Sequence, residues 1–570
     1  MKNVVVAAVV AVLFSCTTTH RLQESSFDRY NYSINKTVRV SNGAVVSAHP
    51  LASMAGVEML KKGGNAVDAA IATQWALAVV YPGAGNIGGG GFMVVQLKDG
   101  QRLALDYRET APGNAHRDMY LDKEGNAIAS KSINGHLAAG VPGTVAGLFA
   151  SLKYAKLPMK VLIQPAIDLA DKGFSLTEME AKSLNRYKDD FEKYNTRSTP
   201  FVRNVKWSAG DTLVQKDLAN TLKRIQQKGS KGFYQGETAS LIVAEMKRGS
   251  GLITLNDLRN YKAKFREPLV FDYRGYEVIG MPMPSSGGLL LNQMLKMTES
   301  FNIGSMGFQT PDAVQLMTEI ERRAYADRAK YMGDADFYKV PVEHLRSSDY
   351  LKNRMTDYKP GVAGNSTITR EGIVVGYESD ETTHLSAIDK EGNAVAVTTT
   401  LNGGYGSRTV VGGAGFLLNN EMDDFSAKPG SPNMFGAVGG KANAIEAGKR
   451  MLSSMAPTIV LKNGKPYLVI GTPGGTTIPT SVYQTVLNIV DFNLSTEDAV
   501  NKPKFHHQWL PDRVDIEDGF SESTFKVLEN MGYTLRIRGA YSRTEVIKVL
   551  PNGVFEAVAD NRGDDAAVGY

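Results

Sequence analysis

A single cysteine, Cys16, stands in a chain of 570 residues, so no intramolecular disulfide can form. Neither sign of charge dominates. The 64 Lys and Arg exceed the 59 Asp and Glu by only five, and no dense basic block of the kind that tracks phosphate occurs, which excludes nucleic acid as an expected partner. Several motifs of enzyme chemistry are also missing. There is no G-x-S-x-G elbow to offer a nucleophilic serine, and no H-E-x-x-H to hold zinc. Internal repeats and low-complexity tracts are absent as well.

What is present begins with an export signature. Met1-Lys2-Asn3 is a short basic start, and Val4–Phe14 is an uninterrupted apolar run of 11 residues, too short to span a bilayer but suited to the core of a secretory signal. The run closes on "LFSC". Residues 1–15 are read as a signal peptide, with Cys16 as a lipidation site of the bacterial lipobox kind. The bland alternative is an incidental cysteine at an ordinary cleavage site. The expected location is the periplasm, with a membrane contacted only through that lipid. Residues 17–37 form a polar tether, and folded sequence starts near Val38.

Along the body, "KKGGNAVDAAIATQWALAVVYPG" predicts an Ala-rich buried helix that enters at Gly63-Gly64-Asn65 and stops at Pro82-Gly83. "GGGGFMVVQLKDGQRLALDYRE" predicts two strands around a Lys98-Asp99-Gly100 turn. From Gly140 to Lys262 the pattern is mostly helical, and "REPLVFDYRGYEVIGMPMPSSGG" returns to strands. A polar stretch without periodicity follows Lys352 and runs to Glu381, as a linker would. "THLSAI", "DKEGN" and "AVAVTTTL" then form a hairpin. Gly83 to Gly88 spells G-x-G-x-x-G, but a helix precedes it and a strand follows, the reverse of a dinucleotide fingerprint. His506-His507 point apart on extended chain and are read as structural.

The hairpin opens with Thr382-Thr383 directly after Glu381. Most Thr-Thr pairs are strand-edge residues. The alternative is that a cut after Glu381 makes Thr382 N-terminal, so that its own α-amine, titrating near ~8, serves as the base for its hydroxyl. Pro473-Gly474-Gly475, after the strand "YLVIGT", is either a tight turn or a pair of exposed amides able to stabilise an oxyanion.

These segments resemble a bacterial γ-glutamyltransferase (γ-glutamyltranspeptidase). The resemblance is carried by "TTHLSAIDKEGNAVAVTTTLN", "GFLLNNEMDDFSAKPG", "LSSMAPTIVLKNGKPYLVIGTPGG" and "NKPKFHHQWLPD". Upstream it is carried by "GGNAVDAA", "GNIGGGGFM", "LDYRETAP" and "GHLAAGVPGTVAG". It implies an α/β N-terminal nucleophile hydrolase fold, a four-layer αββα sandwich. It also implies self-cleavage between Glu381 and Thr382 into a large subunit, 38–381, and a small one, 382–570, which stay interlocked. Thr382 matches the nucleophile and Thr400 the threonine that supports it. Gly474 and Gly475 match the oxyanion pair. Arg108, Ser453 and Ser454 match the residues on the substrate α-carboxylate, and Asn402, Glu421 and Asp424 those around its α-amine. The implied reaction passes the γ-glutamyl group of glutathione or a related compound through a threonine ester to water or to an acceptor amino acid or peptide, with no cofactor and no metal.

Three departures from the family pattern stand out. Phe435, in the lid segment "PGSPNMFGAVGG", replaces a tyrosine. Met451 replaces a proline before the serine pair, and Thr476-Thr477 replace Ser-Arg. Two other readings remain open: an acylase of the same fold acting on glutaryl or other amides, and a lipoprotein that binds γ-glutamyl peptides without turnover. Without the resemblance, Arg108, Asp424 and the two serines read as ion-pair, capping or turn residues.

Overall fold

The computed structural model describes residues 26–369, 382–428 and 432–570. The signal segment, Cys16 and Glu381 lie outside the described residues. Two seven-stranded sheets carry the fold. One runs, edge to edge, Ala566–Gly569, Gly43–Ser47, Thr383–Asp389, Ala394–Thr400, Gly90–Gln96, Arg102–Asp106 and Lys264–Arg266. The other runs Thr37–Val40, Phe555–Val558, Glu545–Val549, Lys465–Gly471, Thr458–Lys462, Tyr276–Gly280 and Leu269–Tyr273. Every pairing in both sheets is antiparallel.

The layering follows from strand alternation, because successive side chains leave a strand on opposite faces. In the first sheet Val45, Met93, Val95, Leu385, Ala387, Val395 and Val397 pack with the helices Pro50–Lys61 and Ala66–Val80. Their neighbours Ala44, Val46, Phe92, Val94, Ile388, Ala394 and Ala396 turn the other way and meet Val278, Ile459, Leu468 and Ile470 of the second sheet. Behind that sheet lie Gly287–Thr298, Pro311–Tyr331 and Ile478–Val490. The result is helix, sheet, sheet, helix, the four-layer αββα sandwich that the resemblance implied.

The Ala66–Val80 helix is buried at all 15 positions, as an apolar-all-round helix must be. It crosses Pro50–Lys61 so closely that a Cβ on Gly56 would sit 2.3 Å from Thr73 Oγ1. Its start explains "GGNAVDAA". Asn65 Oδ1 accepts from the amides of Val67 and Asp68, and Asp68 Oδ2 accepts from Asn65 N at 2.7 Å, a reciprocal capping box. Asp68 also accepts from the amides of Lys156 and Leu157, so one carboxylate ties a helix start to a distant loop.

The hairpin and the strands on both sides of Lys98-Asp99-Gly100 are where the sequence pattern puts them. Two short strands, Phe174–Ser175 and Thr212–Leu213, interrupt the helical region. The tether is shorter than expected. Phe27 and Tyr32 pack on the core, Arg29 Nη1 donates to Asp168 O at 3.1 Å, and Tyr32 Oη donates to Ser175 O. Aromatic rings in an otherwise polar segment gave it surface to bury. Among the described residues no helix is long and apolar enough to cross a membrane.

Asn65→Ala is expected to cost about 1 kcal/mol as a lost N-cap. Asp68→Ala, which also strands the two loop amides, is expected to cost on the order of 3 kcal/mol. Urea denaturation of both variants checks this ranking, and equal midpoints would contradict the shared-carboxylate account.

Candidate active site

Thr382 immediately precedes the central strand Thr383–Asp389 and is 3% exposed. The register pairs Thr383 with Thr399, which sets Thr382 opposite Thr400 across the hairpin. Their hydroxyl oxygens lie 3.4 Å apart. Thr400 Oγ1 accepts from Asn402 N at 2.8 Å. Asn402 holds a positive φ of 76°, a backbone state that non-glycine residues adopt rarely and mostly in special turns. Behind the pair, Asn86 donates from Nδ2 to Thr400 O at 2.9 Å and to Thr399 Oγ1, while its Oδ1 accepts from Gly89 N and Thr144 Oγ1. The strand end beside Thr382 is thereby held from the Gly-rich turn.

A small pocket opens on Thr382 and Thr400. Its walls include Arg108, Asn402, Asp424, Ser453, Ser454, Phe435 and Gly475. The structure thus brings together most of the residues named from sequence. Glu421 and Gly474 are set one step behind this lining. Glu421 reaches the site through Arg108, and Gly474 through the turn it shares with Gly475.

Arg108 follows the strand Arg102–Asp106 and is almost fully buried. One arm of its guanidinium lies 2.6 Å from Glu421 Oε2 and 3.8 Å from Glu109 Oε2. The other arm pairs with Asp424 Oδ2. In this arrangement the residues expected to face opposite ends of a substrate are joined to one another. Burial opposes the Arg108 charge, but Glu421, Asp424 and Glu109 outweigh that and hold it protonated. Burial also pushes the three carboxyls upward, Glu109 to about 8 and Glu421 well above the usual range, against the pull of Arg108. Three carboxylates around one guanidinium cannot all stay charged out of water, so the cluster holds a proton.

The serine pair is fixed from a different direction. Ser453 O accepts from Ser286 N and Ser286 Oγ, and Ser453 Oγ accepts from Met455 N at 3.1 Å. Ser454 Oγ accepts from Arg328 Nη2 at 2.9 Å. The lid aromatic Phe435 is 5% exposed and lies against Gly475, where an added Cβ would meet its ring at 2.5 Å. Gly474 and Gly475 have φ of 130° and 54°, so both the backbone and the close approach require glycine. Asn433 docks the lid: its Nδ2 donates to Asp424 Oδ1, and its Oδ1 accepts from the amides of Phe435 and Ala437. Thr477 Oγ1 donates to Gly474 O, and Thr476 Oγ1 to Gln508 Oε1. Met451 O accepts from Arg108 Nε at 3.4 Å.

Sequence reading missed Asn86, Glu109, Asn419 and Arg328. Asn419 uses both ends of its amide, donating to Gly88 O and Gly140 O and accepting from the amides of Gly140 and Glu421. It fixes the segment that carries Glu421. The signal was present in "LLNNEMDD", where adjacent asparagines interrupt apolar sequence before an acidic run. His384, one of the two polar residues that follow Thr382 on its face, bonds Thr398 and Ser386 hydroxyls and is kept neutral by burial, down to about 3. His506 meets Thr480 and Gln508, while His507 meets Asp512. Among the described residues no group of three or more His, Cys, Asp or Glu is placed to hold a metal ion.

A buried threonine at the start of a central strand, in an αββα sandwich, defines a chain of the N-terminal nucleophile hydrolase class. The chain belongs to the gamma-glutamyltranspeptidase family, whose model matches residues 52–570. The glutathione hydrolase proenzyme of Escherichia coli K12 is 47% identical over 94% of this chain and 93% of its own. Among solved structures, a cephalosporin acylase from Bacillus halodurans superposes with a TM-score of 0.81 at 27% identity, covering 95% of this chain and 99% of that one. A gamma-glutamyltranspeptidase chain of Helicobacter pylori is 44% identical, with a TM-score of 0.56, over 59% of this chain and 95% of that one.

Glu109 carries a pH prediction. Its folded value of about 8 lies above the ordinary 4.5, so its proton is held more tightly in the folded state. The stabilisation is complete below about pH 4.5 and is lost as the pH rises through about 8. Glu109→Gln keeps the shape and removes the titration. Its Tm is expected to fall less than the parent's between about pH 5 and pH 9, and parallel Tm profiles would refute the assignment.

Proposed function

We propose that the chain is a self-processing γ-glutamyltransferase and glutathione hydrolase. The observation that carries the reading is the cavity in which the Thr382 and Thr400 hydroxyls face Arg108, Asp424, Ser453 and Ser454. Cleavage of the Glu381–Thr382 bond gives Thr382 an α-amine in place of an amide. That amine takes the hydroxyl proton, and Oγ1 attacks the γ-carbonyl of the donor. The Gly474 and Gly475 amides meet the developing oxyanion, and the amine product leaves with the proton. Water or an acceptor amine then releases the γ-glutamyl group from the threonine ester.

Recognition falls to the rest of the cavity. Arg108, Ser453 and Ser454 take the α-carboxylate, and Asn402, Glu421 and Asp424 take the α-ammonium. For this the Arg108 ion pairs to Glu421 and Asp424 must loosen, so the zwitterion exchanges one set of ion pairs for another. That exchange favours a donor carrying both charges over one carrying either alone. The hydrophobic cover above comes from Phe435, whose ring lacks the hydroxyl that a tyrosine would place there.

Family membership and the relation to glutathione hydrolase proenzymes support the assignment. The Helicobacter chain, matched over nearly all of its length, covers 59% of this one, a share of the size expected for one of two subunits, which supports a division into 38–381 and 382–570. The acylase reading is favoured by the Bacillus structure and is disfavoured by two acids, Glu421 buried and Asp424 partly so, where an amine would bind. Export, with Cys16 as the lipid-bearing residue, rests on the Val4–Phe14 run and the single cysteine that follows it.

The purified protein is expected to give two bands on a denaturing gel, the smaller beginning Thr-Thr-His-Leu-Ser. Thr382→Ala is expected to remain one band and to lose hydrolysis of γ-glutamyl anilide. Any other N-terminus, or an active alanine variant, would sink the nucleophile assignment. A wild-type preference for glutaryl anilide over γ-glutamyl anilide would move the chain to the acylases.

A further inference from the structure

Arg328 belongs to the last turn of the helix Pro311–Tyr331 and is 7% exposed. It lines the cavity that opens on Thr382. Among the described residues no carboxylate lies within 4.0 Å of its guanidinium, although such a partner is the rule for a buried arginine. Among the described residues its guanidinium donates to two hydroxyls: Nε to Ser286 Oγ at 3.1 Å and Nη2 to Ser454 Oγ at 2.9 Å. Burial presses against its charge, and Tyr325 and Asp424 only partly offset this.

The two serines differ in what they do with their own protons. Ser286 spends its proton on Ser453 O at 2.7 Å. Ser454 accepts from Arg328, so its O–H must point away from that contact, and no acceptor for it occurs among the described residues. Its oxygen lines the cavity, which makes it a donor awaiting an anion. Charge balance points the same way. Arg108 has both arms engaged by Glu421 and Asp424, with Glu109 alongside. Without a second cation, an incoming carboxylate would meet three acids and one occupied arginine.

Resting on the transferase reading above, we propose that Arg328 is a positioning residue for the donor's α-carboxylate: it turns the Ser454 hydroxyl toward that group and supplies the positive charge that Arg108 has already committed. Arg328 acts through Ser454 and through its field, and the reacting carbonyl lies elsewhere in the cavity beside Thr382. The residue thus sets which donors bind, with little part in the attack itself.

The test compares γ-glutamyl anilide with 4-aminobutanoyl anilide, which keeps the amine and lacks the α-carboxylate. Arg328→Gln is expected to raise KM for the first by about 10- to 100-fold, the loss of a charge-assisted contact. The kcat is expected to change by less than about threefold, and KM for the second donor by less than about twofold. Arg328→Lys, which restores charge without the fork, is expected to recover most of the lost affinity. Equal KM losses on both donors, or a loss confined to kcat, would overturn the proposal. If Arg328→Gln yields no soluble, processed protein, Arg328→Lys decides on the same two donors: a KM increase confined to the carboxylate-bearing one supports the role, and an equal change refutes it. Absence of γ-glutamyl anilide turnover in the wild type would instead overturn the transferase reading itself.

Discussion

The pairing of Thr383 with Thr399 is the constraint on which the site depends. A strand's side chains alternate, so a slip of one residue would turn Thr382 away from Thr400 and toward the helices. The register is protected from both sides. Leu385 and Ala387 must reach the helical layer while Ile388 reaches the second sheet, and Asn86 clamps the far strand at Thr399 and Thr400. The Thr382 hydroxyl can therefore sit at a strand terminus without the looseness that strand ends usually have. Its position is inherited from hydrophobic packing several residues away.

Around that fixed point the protein gathers charge that it does not neutralise pair by pair. Arg108 faces three acids, and Arg328 faces hydroxyls alone among the described residues. Buried charge is costly unless it is satisfied, and here the imbalance has a direction. One side of the cavity is short of a cation and the other is short of an anion. An amino acid end group carries both. The lid is tied into the same balance, since Asn433 holds Asp424 with one end of its amide and the Phe435 backbone with the other.

Much of this was legible in the sequence and some was not. Alternation gave the hairpin from Thr382, and turn residues gave the strands beside Lys98-Asp99-Gly100. The asparagine before "AVDAA" marks its helix because capping is local chemistry. The residues gathered in the cavity were reached by family resemblance, since nothing local joins Arg108 to Asp424. Arg328 was invisible for a different reason. "EIERRAYADRAK" looks like a solvated helix face with ion pairs at three- and four-residue spacing, yet Glu319, Glu321, Arg322, Arg323, Asp327 and Arg328 are all buried. Only the tertiary packing, with the 287–298 helix on one side and the segments that carry Asp357, Ser366, His507 and Asp512 across it, removes that face from water. The aromatic rings of the tether misled in the opposite sense, because short polar neighbours hid a segment with something to bury.

The order of strands carries one more consequence. Residues on either side of the proposed cut alternate as neighbours: 43–47 lies between 566–569 and 383–389, 394–400 beside 90–96, 458–462 beside 276–280, and 555–558 beside 37–40. Five hydrogen-bonded seams thus join chain from before Thr382 to chain from after it. The uncut precursor reaches this arrangement in a unimolecular reaction, at a rate that dilution does not alter. Once the bond is broken, the same structure regained from the denatured state is a second-order reaction between two polypeptides, neither of which owns a complete sheet. Maturation therefore leaves the native state in place while making the route back to it depend on concentration.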